Sequence, residues 1–139
     1  MTTVTVREEV QGKAGDVWAA LSDFGGIRVG GPITSFETEG EGVGMVRTIG
    51  MGGGKVVECL DRHDPDAMVF AYSIVNDDCP LPVAGYSASV AITATGDNRC
   101  EVLWTGTFEP RGASEAEAVK IVEGIYKGGI AGARKAVGG

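Results

Sequence analysis

Apolar and polar residues alternate over the first ten positions. Val4, Val6 and Val10 fall on one side and Thr3, Thr5, Arg7 and Glu9 on the other, which predicts a half-buried strand over Thr3–Val10. Glu8 breaks the alternation by lying on the apolar side, where a carboxylate needs a rim position or a partner. The period then changes. Val17, Leu21 and Phe24 recur at helical steps beside Trp18, and Gly25 and Gly26 end a short helix, with a turn or a second short helix before Pro32. From Ile33 the chain reads as strands over Ile33–Thr38, Gly44–Ile49, Lys55–Arg62, Met68–Val75, Tyr86–Thr95 and Arg99–Phe108. The breaks between them carry turn chemistry: Gly40 and Gly42, the run Gly50–Gly54, Asp64-Pro65-Asp66, Pro80-Leu81-Pro82 and Gly96-Asp97-Asn98.

The closing segment is one long helical pattern. Val119, Val122, Tyr126, Ile130, Ala133 and Val137 recur at steps of three and four, and Ser114 with Glu117 predicts a capping box at the start. No alternating strand–helix series is present to build a parallel sheet. The fold class is therefore α+β: a curved seven-stranded antiparallel sheet wrapped around the helix Ser114–Val137, one or two short helices after the first strand, and a single domain over residues 1–139. Space between sheet and helix is where a guest molecule would sit. Gly124, Gly128 and Gly132 form a stripe along the helix, although each interior glycine costs about 1 kcal/mol relative to alanine. Either the helix backbone approaches the sheet or another helix there, or the missing side chains leave volume for a ligand.

Strand parity identifies the residues facing that space. Ala88, Val90 and Ile92 oppose Ser87, Ser89 and Thr93, and Val102, Trp104 and Phe108 oppose Glu101, Thr105 and Thr107, so Tyr86 and Trp104 fall inside. In the middle strands both faces carry apolar residues. If Met45 and Ile49 point inward, so does Arg47; if Val56 and Leu60 do, so does Glu58. The hairpin through Gly50–Gly54 then brings Arg47 and Glu58 within pairing distance, either as an exposed cross-strand bridge or as a site. Tyr72 follows the same parity with Phe70 and Ile74. Both tryptophans, Trp18 and Trp104, accompany regular apolar patterns and are expected at least partly in the core.

Composition narrows the function classes. A net charge of −7 argues against nonspecific binding to nucleic acid or anionic membrane. Lys120, Glu123, Lys127 and Arg134 interrupt any membrane-compatible run in the long helix, so no membrane insertion is expected. The first ten residues alternate like a strand and hold no apolar signal core, which leads to the expectation of a cytoplasmic protein. Cys59, Cys79 and Cys100 are odd in number and widely spaced, as reduced thiols are, and with His63 alone they form no zinc signature. His63 itself is expected to be exposed at a turn. The glycine-rich stretches Gly40–Gly44 and Gly50–Gly54 both lead into strands, so neither is a nucleotide-binding turn, which must open a helix. No cofactor and no metal are expected.

The segments DVWAALSDFGGI, EGEGVGMVRT, VVECLDRHD, FAYSIV, the PLPV loop and YSASV, followed by the long helix, resemble in their order the helix-grip fold of the SRPBCC superfamily. That superfamily unites START, Bet v 1-like and polyketide cyclase/dehydrase proteins, and the resemblance covers nearly the whole chain. Its middle is most similar to lachrymatory-factor-synthase-like proteins and more loosely to plant abscisic-acid receptors. The first resemblance implies Arg47, in a GxVR strand, and Glu58 as an acid and a base acting in an apolar cavity, with Tyr72 and Tyr86 beside them. The second implies that the loops Gly50–Gly54 and Pro80–Val83 border the entrance, although neither carries the receptors' gate or latch sequence.

The expected function is binding of a small hydrophobic or amphipathic molecule, with Met45, Phe70, Tyr72, Pro82, Tyr86, Trp104 and Tyr126 lining its site. Proton-transfer chemistry through Arg47 and Glu58, such as cyclisation, dehydration or isomerisation, is compatible with this. A carrier or sensor without turnover, or an interaction module with a collapsed interior, is the alternative, and a homodimer is possible. A thiol enzyme built on Cys79 lacks an orienting partner.

Overall fold

The computed structural model describes residues 1–27 and 29–138. Its elements run β1 (Thr2–Val10), α1 (Ala14–Ser22), β2 (Ile33–Glu39), β3 (Val46–Met51), β4 (Gly54–Asp64), β5 (Val69–Ile74), β6 (Val83–Gly96), β7 (Arg99–Pro110) and α2 (Glu115–Val137). The seven strands form one antiparallel sheet in the order β1-β7-β6-β5-β4-β3-β2. The chain thus makes a meander from β2 to β7 and returns β1 to the far edge. The turn or second helix expected before Pro32 spans residue 28, which lies outside the described residues.

Register shifts in β2, β4 and β6 bend the sheet, as bulges do by placing an extra residue on one strand. One of the two in β6 lies at Gly85, whose φ of 59° suits a residue without Cβ, and it lets the strand begin at Val83 instead of Tyr86. The one in β4 falls at Asp61 and reverses parity beyond it. His63 therefore pairs with the inward-facing Phe70 and lies 5.2 Å from the Trp18 ring, exposed as expected but on the strand, not in the turn.

The concave face carries the core. Val4, Val6 and Val10 of β1, Tyr86, Val90 and Ile92 of β6, and Val102, Trp104 and Phe108 of β7 are buried against Val122, Tyr126, Ile130 and Ala133 of α2. Trp18 is half-buried on this core. Two contacts tie α2 to the edge strand. Thr2 Oγ1 donates to Glu115 Oε2 at 2.7 Å near the start of the helix, and Arg134 Nη1 donates to Glu8 Oε1 at 2.7 Å near its end, where Nη2 also reaches the Glu9 carbonyl. The carboxylate that broke the pattern in β1 is thus the partner of a helix cation. Half of the expected capping box is present, with Ser114 Oγ accepting from the Glu117 amide.

The glycine stripe is corrected by the structure. A methyl group at Gly124, Gly128 or Gly132 would meet nothing within 4 Å, because these residues face outward beside the exposed Ile121 and Ile125. The close approach is at Gly129, where a Cβ would lie 2.6 and 2.7 Å from the Trp104 ring. Trp104 cannot yield, since its other side stacks on Tyr126 at 4.8 Å. Gly129→Ala should therefore destabilise the protein by about 1–3 kcal/mol through overpacking, despite its better helix propensity. Gly124→Ala should instead stabilise it by about 0.4–1 kcal/mol. Denaturant melts of the two variants test the assignment, and equal effects would contradict it.

Candidate functional site

Arg47 and Glu58 stand directly opposite each other on β3 and β4, and Arg47 Nε donates to Glu58 Oε1 at 2.8 Å. With side chains only 12% and 9% exposed, this is not the rim-exposed bridge whose contribution is small. The guanidinium lies 3.9 Å from the centroid of the Phe24 ring, and its Nη1 donates to the Phe24 carbonyl at 3.2 Å. Phe24 reaches this position because α1 ends at Ser22 and the chain turns back, with the Gly26 amide donating to the Asp23 carbonyl. Burial raises the proton affinity of Glu58 above the ordinary carboxylate value, and the Arg47 charge and hydrogen bond offset this only in part.

Beside the pair lies a cavity of about 200 Å³, open at one side. Ala20, Leu21, Asp23, Gly26 and Ile27 form one wall, Arg47, Phe70, Tyr72 and Trp104 the opposite one, and Gly129 of α2 the end. A depression of about 260 Å³ on the other face of the sheet, over Ser87, Ser89, Thr105 and Thr107, is shallow and holds no buried ion pair. The cavity beside the ion pair is thus the candidate site.

Behind its wall runs a chain of ring polar atoms. Trp104 Nε1 donates to Tyr72 Oη at 3.2 Å, Tyr72 Oη lies 3.4 Å from Tyr86 Oη, and Tyr86 Oη is bonded to Tyr126 Oη. Gly106 makes room for the Tyr126 hydroxyl, which any Cβ there would strike. Burial raises the pKa of all three phenols, that of Tyr126 to about 12, so each remains a neutral donor.

The site residues read from the sequence divide into three groups. Arg47, Phe70, Tyr72 and Trp104 line the cavity; Glu58, Tyr86 and Tyr126 stand behind it in the hydrogen-bonded layer. Met45 and Pro82 do not reach it: Met45 Cε packs toward Gly25, and Pro82 lies in the loop before β6. Nor do the two expected entrance loops border it. Pro80 sits against Gly52 and Gly54, so the loops close on each other, and residues of α1 and the turn after it border the cavity instead. Phe24, Asp23, Ile27 and Gly129 are not among the site residues expected from the sequence; the DFGGI end of the first helix carries three of them, and its pattern marks Phe24 as an apolar helix position and Gly25-Gly26 as a stop without pointing to a site. Cys79 is buried, with its Sγ near the Leu81 and Val83 carbonyls and Arg111, away from any imidazole contact. Among the described residues, no group of three or more His, Cys, Asp or Glu side chains is placed to hold a metal ion.

Comparison with known proteins places this geometry in a family. XoxI from Bacillus cereus superimposes with a TM-score of 0.84 at 28% identity, covering 99% of this chain and 96% of its own. The Zhui aromatase/cyclase from Streptomyces sp. R1128 does so with a TM-score of 0.72 at 22% identity, covering 98% and 90%. Norcoclaurine synthase from Thalictrum flavum, in complex with dopamine and hydroxybenzaldehyde, gives 0.71 at 20% identity, covering 98% and 83%. At these identities the last two show a shared fold. No curated protein matches the sequence. Residues 1–138 match the family described as polyketide cyclase / dehydrase and lipid transport, and with its helix-grip architecture the chain belongs to that family.

Proposed function

We propose that the protein binds a small amphipathic molecule in the cavity beside Arg47, with its apolar part against Phe70 and Trp104 and a polar atom at the guanidinium. One observation carries this reading: a largely desolvated arginine forms part of the wall of a cavity lined mainly by apolar side chains, while its Nη2 has no partner among the described residues. Orientation of one end of a guest by a few polar groups in an apolar pocket is the usual design of small-molecule sites. The cavity also supports this reading over a module with a collapsed interior.

A second reading adds chemistry. Glu58 holds a proton more readily than an ordinary carboxylate and bonds the arginine that faces the guest. Such a group is suited to accept a proton during dehydration, cyclisation or isomerisation, while Arg47 stabilises charge developing on an oxygen. The Zhui aromatase/cyclase shares the fold. A carrier would use the same cavity without turnover, and fold alone does not separate the two.

Native mass spectrometry of freshly purified protein should show a retained small organic molecule. Arg47→Met with Glu58→Leu should fold yet retain none, because replacing a buried ion pair by apolar residues of similar volume is often neutral or better, whereas Arg47→Met alone should cost about 3–5 kcal/mol at neutral pH. Retention of the same molecule by the double variant would reduce the pair to a structural role. A pH series separates the partners. Because the folded state holds the Glu58 proton more tightly than the unfolded chain, this linkage favours folding below pH 4.5 and is lost as pH rises through the raised pKa. The stability of wild type relative to Glu58→Gln should therefore fall with rising pH over that window; a pH-independent difference would show that Glu58 titrates normally.

A further inference from the structure

The outward face of α2 carries large apolar side chains that the fold leaves uncovered. Ile121 and Ile125, one turn apart, are 43% and 42% exposed, and the surface beside them is low because Gly124, Gly128 and Gly132 have no atom within 4 Å of where a Cβ would stand. Each of these glycines weakens the helix relative to alanine and contributes no close packing within the chain. Two ridges thus stand beside an open groove. A bilayer does not suit this face: no helix among the described residues is long and apolar enough to cross a membrane, and a net charge of −7 opposes an anionic surface.

Charge identifies the occupant. Glu117 and Lys135 lie at the two ends of the same face, about five turns apart and so on one line along the helix. Both are exposed, and neither takes part in an ion pair among the described residues, whereas their neighbours Glu115 and Arg134 are engaged by Thr2 and Glu8. A helix carrying the same stripe in the opposite direction would set a cation against Glu117 and an anion against Lys135. A second copy of this chain carries that stripe.

Shape requires the same register. With Glu117 opposite Lys135 of the second copy, Ile121 falls over the gap between Gly128, Ala131 and Gly132, and Ile125 over the gap between Gly124, Gly128 and Ala131. Each ridge therefore meets a groove, and twofold symmetry repeats every contact. A parallel pair would instead oppose Glu117 to Glu117 and isoleucine to isoleucine. The stretch from Glu117 to Lys135 is about 27 Å long, so one such helix pair lies near the lower end of specific interfaces and its dissociation constant should be micromolar.

We propose that the outward face of α2 forms an antiparallel, twofold-symmetric contact with the same face of a second copy of this chain, Ile121 and Ile125 of each seated in the glycine groove of the other. Sedimentation velocity from about 0.5 to 200 µM, a range that brackets a micromolar constant, should show monomer passing to dimer. Gly128→Leu should weaken the association at least about tenfold by filling the groove. Its thermal melt at the lowest concentration, where the chain is monomeric, should be no lower than that of wild type, since the added side chain points into open space. Glu117→Lys and Lys135→Glu should each weaken self-association about threefold to tenfold, because both ends of the symmetric pair then oppose like charges. An equimolar mixture of the two variants should associate as wild type does, both ends again being complementary. A monomer throughout the range overturns the proposal, whether or not the protein then binds phosphatidylcholine/phosphatidylserine vesicles. So does a dimer that Gly128→Leu leaves unchanged, or a mixture no tighter than its components.

Discussion

The distance between helix and sheet is set at one contact, where the edge of the Trp104 indole meets the backbone of Gly129 and the opposite face of the ring stacks on Tyr126. A helix lying on a curved sheet touches it closely at few points, and here an aromatic wedge on β7 occupies the gap left by a missing side chain. A larger residue at 129 would lift the helix or tilt the ring. The cavity is bounded by that same ring and that same glycine, so the packing that holds the fold together also fixes the volume of the site. The ties Thr2–Glu115 and Glu8–Arg134 hold the two ends of the helix to β1 and keep the wedge in register.

The electrostatics follow from the enclosure. Arg47 and Glu58 are removed from most solvent, so each depends on the other and on Phe24, whose ring and carbonyl both engage the guanidinium. Desolvation outweighs the attraction in setting the proton affinity of Glu58, which is the balance expected when a pair is buried beside an apolar cavity.

The three tyrosines and Trp104 extend the same logic into the core. Their polar atoms bond to one another, which lets large rings fill the concave face with each ring nitrogen or hydroxyl oxygen in at least one hydrogen bond. Each ring contributes packing on the helix side, and two members of the chain, Trp104 and Tyr72, also border the cavity. A stable core and a cavity wall are thus made from the same residues.

Much of this was legible in the chain. Alternation defined the first strand and the last two with their inward residues Val4, Val6, Tyr86, Val90 and Trp104, because a strand buried on one face has period two, and turn residues marked off the middle strands, whose hairpin through Gly50–Gly54 brought Arg47 near Glu58. The ordered motifs identified the superfamily. Tertiary structure alone decided the rest. Which glycine of α2 meets the sheet depends on the rotation of the helix about its axis, and a stripe at every fourth residue does not reveal whether it faces a tryptophan or solvent. The bulge at Asp61 turned His63 toward the Trp18 side, a shift that no periodicity records. Phe24, Asp23 and Ile27 joined the site because the chain reverses after Ser22, and Met45 and Pro82 fell outside it because the loops meant to open the cavity close on Pro80. Local pattern determines which face of an element is apolar; contact between elements distant in the chain determines where that apolar surface is left uncovered.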